Sequence, residues 1–212
     1  MHNQINQQPQ QNMSPTSIPQ RGGHELFDSH EIIATYINIL DQYLLFDQHI
    51  QDPVLKDISK RQQTFITDLY NITVQAFKTG QKPQHETKTY MMKQDNGATY
   101  GIQPSQPKKP NSSVTETKDA GLSAYMLGLI KSTAGLLSVS ALEMTNPVLR
   151  RVVADSVSDF IEMGYEIFLY QNQNQYYQVP TLSPQDAATM LNSYTTVPVP
   201  VMPPNQNNQQ VH

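Results

Sequence analysis

Two nearly identical phrases, DPVLKDI at 52–58 and NPVLRRV at 146–152, lie 94 positions apart (52 against 146). Each begins with a residue that caps helices well and continues with proline, Asp52–Pro53 in the first copy and Asn146–Pro147 in the second. Proline disfavours a helical conformation in the residue before it, yet fits the first helical position, where no amide donor is needed. Asp and Asn accept hydrogen bonds from the free amides of a first turn. Each phrase therefore predicts the end of one helix and the capped start of the next.

Apolar residues recur at three- and four-residue steps on both sides of each phrase, as in amphipathic helices. This pattern predicts helices over 29–50, 53–80, 119–144 and 147–170. Because few residues separate the members of each pair, each pair must fold back as an antiparallel hairpin. The similar phrases suggest that one helical hairpin is duplicated in the chain.

Between the hairpins, residues 80–118 contain four prolines and no sustained period, which predicts either a long connection or a partly disordered linker. The resulting fold class is all-α. We expect a ferritin-like antiparallel four-helix bundle, in which two helical hairpins are joined by a long crossover. The bundle is predicted over 25–178, with 79–118 as the linker inside it.

The ends of the chain have a different composition. Nine of the first twenty residues are Gln or Asn, and such a segment buries too little apolar surface to offset its ordering entropy. Residues 1–24 are therefore predicted to be a disordered tail. The Pro/Gln/Asn-rich residues 179–212 are predicted to be a second tail. It includes a short helix at 183–192, where Ser183 can cap and Pro184 takes the first position.

Charge and composition narrow the function. The net charge of −4 provides no positive field for phosphates, so nucleic acid is not an expected partner. The N-terminus has neither a basic start nor an apolar run of signal-peptide length. The helix at 119–144 carries Lys131 at its centre together with several Ser, Thr and Gly residues, which favours a buried bundle helix over a transmembrane one.

A crossover-connected bundle raises the question of a di-iron site, which requires Glu-x-x-His on two helices. That motif does not occur in the sequence. His24, His30 and Glu31 cluster where the first helix begins, but a solvated helix start is the favoured interpretation. No G-x-S-x-G motif is present. We therefore predict no metal, no cofactor, no catalytic residue and no small-molecule substrate.

Acidic residues form a second pattern, at a spacing that places them along one stripe of the fourth helix: Asp155, Asp159, Glu162 and Glu166. Such stripes are usually solvated faces, and binding of a basic partner is the alternative. On the first helix, Asp47 falls among apolar positions. A partly buried carboxylate needs a partner, and a structural hydrogen bond to a tyrosine or a backbone amide is the favoured prediction.

The chain resembles the spore coat protein F family of endospore-forming bacteria. The matching features are the helix-turn-helix that leads into NPVLRR, the Tyr/Phe-rich helix end EMGYEIFLYQNQNQ, and the Tyr-Tyr-x-Val-Pro exit at 176–180. The resemblance spans about 25–180 and is strongest over 120–180. It implies a ferritin-like bundle, produced in sporulating cells and located in or near the spore coat, without an established enzymatic activity or cofactor.

These observations give a functional prediction. The chain is expected to be a non-enzymatic structural or assembly protein of the spore coat, with other coat proteins as partners and possible self-association. Tyr176 and Tyr177 are candidates for dityrosine cross-links, and Gln and Lys of the tails and linker for Gln–Lys links, but the favoured interpretation is that such residues only keep the tails soluble. The alternatives are a ferritin-like protein with a degenerate metal site and an adaptor that binds a basic partner.

Overall fold

A computed structural model describes residues 20–200 of the chain. Within that range it is all-helical, as predicted, and contains no β-strand beyond isolated bridges. The elements are α1 (Gly23–Asp47), α2 (Pro53–Thr79), a 3₁₀ turn (Val114–Glu116), α3 (Asp119–Ser140), α4 (Pro147–Gln173) and α5 (Pro184–Leu191).

The second helix of each hairpin begins at the repeated phrase. Asp52 Oδ1 accepts from the amide of Val54 at 2.8 Å, and Pro53 is the first residue of α2. Asn146 Oδ1 accepts from the amides of Val148 and Leu149 at 3.0 and 2.9 Å, ahead of Pro147. These side chains satisfy amides that a helix start leaves without partners.

Several helix ends differ from those predicted. α1 begins at Gly23 rather than 29 and ends at Asp47 rather than 50, while α3 ends at Ser140 rather than 144. α4 continues to Gln173 instead of ending at 170. The early start of α1 depends on contacts with the turn before α4, described below, which local sequence does not reveal.

The four long helices lie side by side, and contacts at their ends define their directions. At one end, the amide of Gly22 donates to Thr145 Oγ1 at 3.2 Å, and Asn146 Nδ2 donates to the carbonyl of Gly80 at 3.1 Å. At the other, the amide of Gln51 donates to Asp119 at 3.0 Å. We call these the Asn146 end and the Asp52 end. The two hairpins are thus antiparallel to each other, with α1 against α2 and α3, and α4 against α2 and α3.

The duplication suggested by the two phrases extends through the core. Every buried residue of α2 has a buried counterpart 94 positions later in α4, and every buried residue of α1 except Glu25 has one in α3. The pairs include Ile32 with Met126, Tyr36 with Ile130, Leu55 with Leu149, Ile66 with Phe160, and Leu69 with Met163. The hairpins are therefore related by a pseudo-twofold relationship in which α1 matches α3 and α2 matches α4.

The crossover, residues 80–118, runs from the Asn146 end back to the Asp52 end. It is tied to the bundle at several points rather than hanging free. Tyr90 is buried in the core, the amide of Lys93 donates to Glu166, and the amide of Thr99 donates to Asn172 Oδ1 at 2.6 Å. Near the far end, the amide of Gly101 donates to the carbonyl of Val179 at 2.8 Å.

α3 is long and apolar enough to cross a membrane, judged by length and composition alone. Its inward side nevertheless contributes to the shared core, where Leu122, Met126, Ile130 and Leu137 are buried. Most of the predicted N-terminal tail (1–19) and the last twelve residues (201–212) lie outside the described residues. α5 forms within the predicted 183–192 segment, and all but one of its residues are exposed.

Candidate functional site

The most elaborate polar cluster centres on Glu166, a fully buried carboxylate on α4. One oxygen accepts from Arg61 Nη2 at 2.6 Å and from the amide of Lys93 at 3.0 Å. The other accepts from the Tyr90 hydroxyl at 2.5 Å. Because a buried charge is costly unless paired and hydrogen-bonded, the donors of Arg61, Tyr90 and Lys93 explain how Glu166 is accommodated.

Arg61 of α2 connects the buried cluster to the surface. Its Nε donates to Asp57 at 2.7 Å, and Lys93 Nζ also reaches Asp57 at 3.0 Å. Burial opposes the charged guanidinium, but the hydrogen bonds with Glu166 and Asp57 outweigh it and raise the pKa of Arg61. Burial, followed by the adjacent Glu166 carboxylate, likewise raises the pKa of the Tyr90 hydroxyl. Arg61 thus remains charged and Tyr90 neutral across the physiological range.

A second chain of hydrogen bonds crosses the core beside this cluster. The buried hydroxyl of Tyr43 on α1 donates to Gln62 Oε1 at 2.8 Å. Gln62 Nε2 then donates to the backbone carbonyl of Met163 at 3.0 Å. Three helices, α1, α2 and α4, are therefore joined through a single glutamine.

Asp159 forms the third tie, between α4 and the crossover. It is 2% exposed and accepts from the amide of Tyr90 at 2.8 Å. Burial raises the pKa of Asp159, although the hydrogen bond from Tyr90 works in the opposite direction. Together with Glu166, it binds the crossover backbone at two points.

The prediction of one solvated acidic face on α4 is therefore wrong. Asp155 is exposed and Glu162 half-buried, but Asp159 and Glu166 are buried against the crossover. The stripe faces the crossover, and the periodicity of a helix cannot predict where the crossover lies. Asp159 and Glu166 are consequently not available to a basic partner.

At the Asn146 end, Glu25 of α1 is buried and joins the two hairpins. Its Oε2 accepts from the Thr145 hydroxyl at 2.7 Å and from the amide of Asn146 at 2.6 Å. Its Oε1 pairs with Arg21 Nη1 at 3.1 Å. Burial alone would raise the pKa of Glu25, but the hydrogen bonds from Thr145 and Asn146 and the charge of Arg21 bring it below the usual value.

At the Asp52 end, Asp119 occupies the position 94 residues after Glu25. It accepts from the amides of Gln51 and Asp52 at 3.0 and 3.1 Å. The hydroxyl of Tyr170 donates to Asp52 Oδ2 at 2.9 Å. The acidic residue at the start of each hairpin thus binds the turn of the other hairpin.

Two buried hydroxyls in the middle of the bundle make no hydrogen bond of ordinary geometry within residues 20–200, although they lie close to each other. They belong to Tyr36 on α1 and Thr73 on α2. Burial strongly raises the pKa of Tyr36. The ring of Tyr36 stacks on Phe160, with centroids 5.8 Å apart, so the side chain acts as a packing aromatic.

The other residues considered in the sequence analysis, His24, His30 and Asp47, lie apart from these clusters. His24 lies 3.4 Å from Glu143, and His30 packs its edge against Phe77 with centroids 5.6 Å apart. Asp47 is half-buried, and its partner is Lys56 at 3.0 Å rather than a tyrosine or a backbone amide. Within residues 20–200, no group of three His, Asp or Glu side chains is placed to hold a metal ion.

The proposed cross-linking residues lie just after α4. Tyr176 is half-buried with its ring 6.3 Å from that of Tyr170, and Tyr177 is 45% exposed with its ring edge on Phe168. Three tyrosines that the sequence analysis did not single out are more exposed: Tyr100, Tyr125 and Tyr194.

Sequence reasoning also missed the residues that hold the structure together: Arg21, Glu25, Arg61, Gln62, Tyr90, Lys93 and Asp119. A signal for two of them was present, because Glu25 and Asp119 show the same 94-residue offset as the capping phrases. For Tyr90 and Lys93 there was no local signal, since an irregular segment has no periodic buried face.

Comparison with known proteins places this architecture in a family. The Coat F domain model matches residues 118–180, which comprise α3, α4 and the Tyr-Tyr exit. The chain is also 46% identical over 208 residues to the spore coat protein F-like protein YhcQ of Bacillus subtilis (strain 168). That alignment covers 96% of this chain and 95% of the relative.

The chain therefore belongs to the spore coat protein F-like family. The resemblance deduced from its helix-turn-helix and Tyr-Tyr exit is confirmed. A comparison with solved structures gave no match.

Proposed function

We propose that this protein is a non-enzymatic structural or assembly component of the bacterial spore coat. The observation that carries the proposal is the full-length similarity to a spore coat protein F-like protein, at 46% identity over 96% of the chain. Other coat proteins, and other copies of this chain, are the proposed partners.

The internal chemistry supports a structural role. The oxygens of Glu166 accept from Arg61, Tyr90 and Lys93, and those of Glu25 from Arg21, Thr145 and Asn146. Active sites usually hold perturbed groups open toward a cleft. Here Arg61 and Tyr90 border a cleft between α2 and the crossover, but their polar atoms are directed at Glu166 and join the helices to the crossover.

The proposed fold is a ferritin-like four-helix bundle. The directions of the helices support this proposal. α2 and α3 are parallel, and the connection between them runs the length of the bundle, as in ferritin-like folds. The ferritin-like metal protein with a degenerate site is less well supported, because in a di-iron protein the inward carboxylates ligate metal, whereas here Glu166 is paired with an arginine.

Contacts with partners are proposed to use the exposed residues outside the core. Exposed apolar side chains occur on the outer sides of the bundle, such as Leu45 and Val139. Others lie on and after α5, such as Leu191 and Tyr194. Tyr176 and Tyr177, with Gln and Lys of the tails and linker, are proposed cross-linking residues, and Tyr177 has the more accessible ring.

An immunoblot of a sporulating culture tests the location. Mother-cell lysate, forespore interior, membranes and the detergent-extractable coat of purified spores are compared. We expect recovery in the coat extract. Recovery only in soluble or membrane fractions of growing cells would refute the proposal, and enrichment in membranes would point to α3 as a membrane span.

The cross-linking proposal needs its own experiment. Coat extracts from cells that carry Tyr176→Phe and Tyr177→Phe together are compared with extracts from cells that carry Tyr70→Phe, a half-buried tyrosine on α2. We expect high-molecular-weight forms to decrease only in the double variant. Equal amounts in both would show that these tyrosines do not link the protein to the coat.

A further inference from the structure

The crossover contains a short segment whose ends are fixed and whose middle is free. Lys93 is held by Glu166, and Thr99 is held by Asn172 through bonds of 2.6 and 2.9 Å. Between these ties the chain reads Gln-Asp-Asn-Gly-Ala, residues 94–98. Asp95, Asn96 and Gly97 are exposed.

This segment is longer than its span requires. Glu166 and Asn172 lie six residues apart on α4, or about 9 Å at the helical rise. Six residues of extended chain between 93 and 99 can reach about 20 Å. The segment therefore has slack, and its central residues can change conformation while both ties remain.

At its centre stands Asn96 followed by Gly97. Neither the Asn96 side chain nor the Gly97 amide makes a hydrogen bond within residues 20–200, and nothing lies within 4 Å of the place where a Cβ on Gly97 would sit. Glycine also allows the backbone a wide range of dihedral angles. No other part of the protein therefore crowds Gly97, and its nitrogen has room to turn toward the Asn96 side-chain carbonyl.

We propose that Asn96 is a site of spontaneous deamidation. The Gly97 backbone nitrogen loses its proton to solvent base and attacks Asn96 Cγ, a new C–N bond forms, and the side-chain nitrogen takes up a proton and leaves as ammonia. The product is a five-membered succinimide. Water then opens the ring at either carbonyl and leaves aspartate or isoaspartate at position 96, with no enzyme or oxidant involved.

The surroundings determine what the modification does. Isoaspartate adds one carbon to the main chain, and the slack between Lys93 and Thr99 accommodates it without breaking the ties to α4. The new carboxylate lies next to Asp95, so the exposed loop gains a second adjacent negative charge. The negative charge of the crossover therefore increases as the folded protein ages, while the bundle stays intact.

Asn111 provides an internal control in the same crossover. It is also exposed, but it is followed by Ser112, and its Nδ2 donates to Thr117 Oγ1 at 3.2 Å. The full-length protein is incubated at mildly alkaline pH and digested with trypsin. Peptides containing Asn96 and Asn111 are then followed for the mass gain of about 1 Da and for isoaspartate.

We expect Asn96 to convert at least about tenfold faster than Asn111, and Gly97→Ala to slow it by about tenfold, because alanine restricts the approach of the nitrogen. Asn96→Gln should show no change in its peptide. The folded and urea-unfolded proteins should convert at rates within a few-fold of each other. Equal rates at Asn96 and Asn111, or strong protection of Asn96 in the folded protein, would overturn the proposal.

Discussion

Glu25, in the first turn of α1, accepts a hydrogen bond of 2.6 Å from the backbone amide of Asn146, which caps α4. Asp119, at the start of α3, makes the matching contact with the amide of Asp52, which caps α2, at 3.1 Å. Each hairpin thus stabilises the turn of the other with a carboxylate. The same type of contact, a carboxylate of one hairpin bound to the capped turn of the other, therefore occurs at both ends of the bundle.

The Glu25 contact predicts a specific dependence of stability on pH. Its pKa lies below the ordinary 4.5, so the unfolded chain binds the proton more readily than the folded one. The stabilisation is fully present above that value and is lost as the pH falls through the lower pKa of the folded state. Urea unfolding of wild type and Glu25→Gln should differ most near neutral pH and converge in acid.

Glu31→Gln serves as the matched control for that experiment, because Glu31 is exposed on the same helix. Its free energy of unfolding should parallel that of wild type at every pH. A Glu25→Gln difference that stays constant or grows in acid would contradict the assignment.

Removal of the Glu166 charge should be costly. Glu166→Gln leaves the guanidinium of Arg61 without its buried partner, and breaking a buried pair typically costs about 3–5 kcal/mol. Glu162→Gln, one turn earlier and half-buried, should change the free energy of unfolding by less than about 0.5 kcal/mol. Denaturant unfolding measures both.

Glu166→Gln also tests whether the carboxylate holds the crossover against α4. In Glu166→Gln the amide of Lys93 and the hydroxyl of Tyr90 lose their carboxylate acceptor, so hydrogen exchange at the Lys93 amide should accelerate more than exchange in the core of α2. Uniform acceleration across the molecule would instead show that the carboxylate stabilises the bundle as a whole.

Two tyrosines on α1 give a contrasting pair. Tyr43→Phe deprives Gln62 of a buried donor, and leaving a buried group unsatisfied costs about 1–3 kcal/mol. Tyr36→Phe removes a buried hydroxyl that lies beside Ser156 and Thr73 but makes no hydrogen bond of ordinary geometry within the described residues, so stability should stay equal or rise. Thermal unfolding compares the two, and a larger loss for Tyr36→Phe would show that its hydroxyl is bonded, for example to an internal water.

The capping phrase can be tested at Asn146. Asn146→Ala removes the acceptor for two first-turn amides and should destabilise the protein by about 0.5–2 kcal/mol. Asn146→Ser retains a capping oxygen and should recover most of that loss. If both variants are equally unstable, the bond from Asn146 Nδ2 to the carbonyl of Gly80, rather than the cap, is the important contact.

The helices were predicted more accurately than the surroundings of the acidic residues on α4. Helix formation depends on nearby residues, whereas burial of a side chain depends on distant ones. Asp155, Asp159, Glu162 and Glu166 do lie on one side of α4, as their spacing requires. Which members of that set meet solvent depends on Tyr90 and Lys93, more than 60 residues earlier in the chain. Periodicity describes a helix face, but it does not say what covers the face.

The sequence by itself determined the helical class, the starts of α2 and α4, and the pairing of helices into hairpins. These features follow from short-range physics: proline geometry, capping by Asp52 and Asn146, and apolar spacing. Only the tertiary structure decided the path of the crossover, the early start of α1 and the burial of Glu25, Asp159 and Glu166. Each of these depends on a charge or amide whose partner lies far away in the chain, and such contacts exist only once the helices have packed.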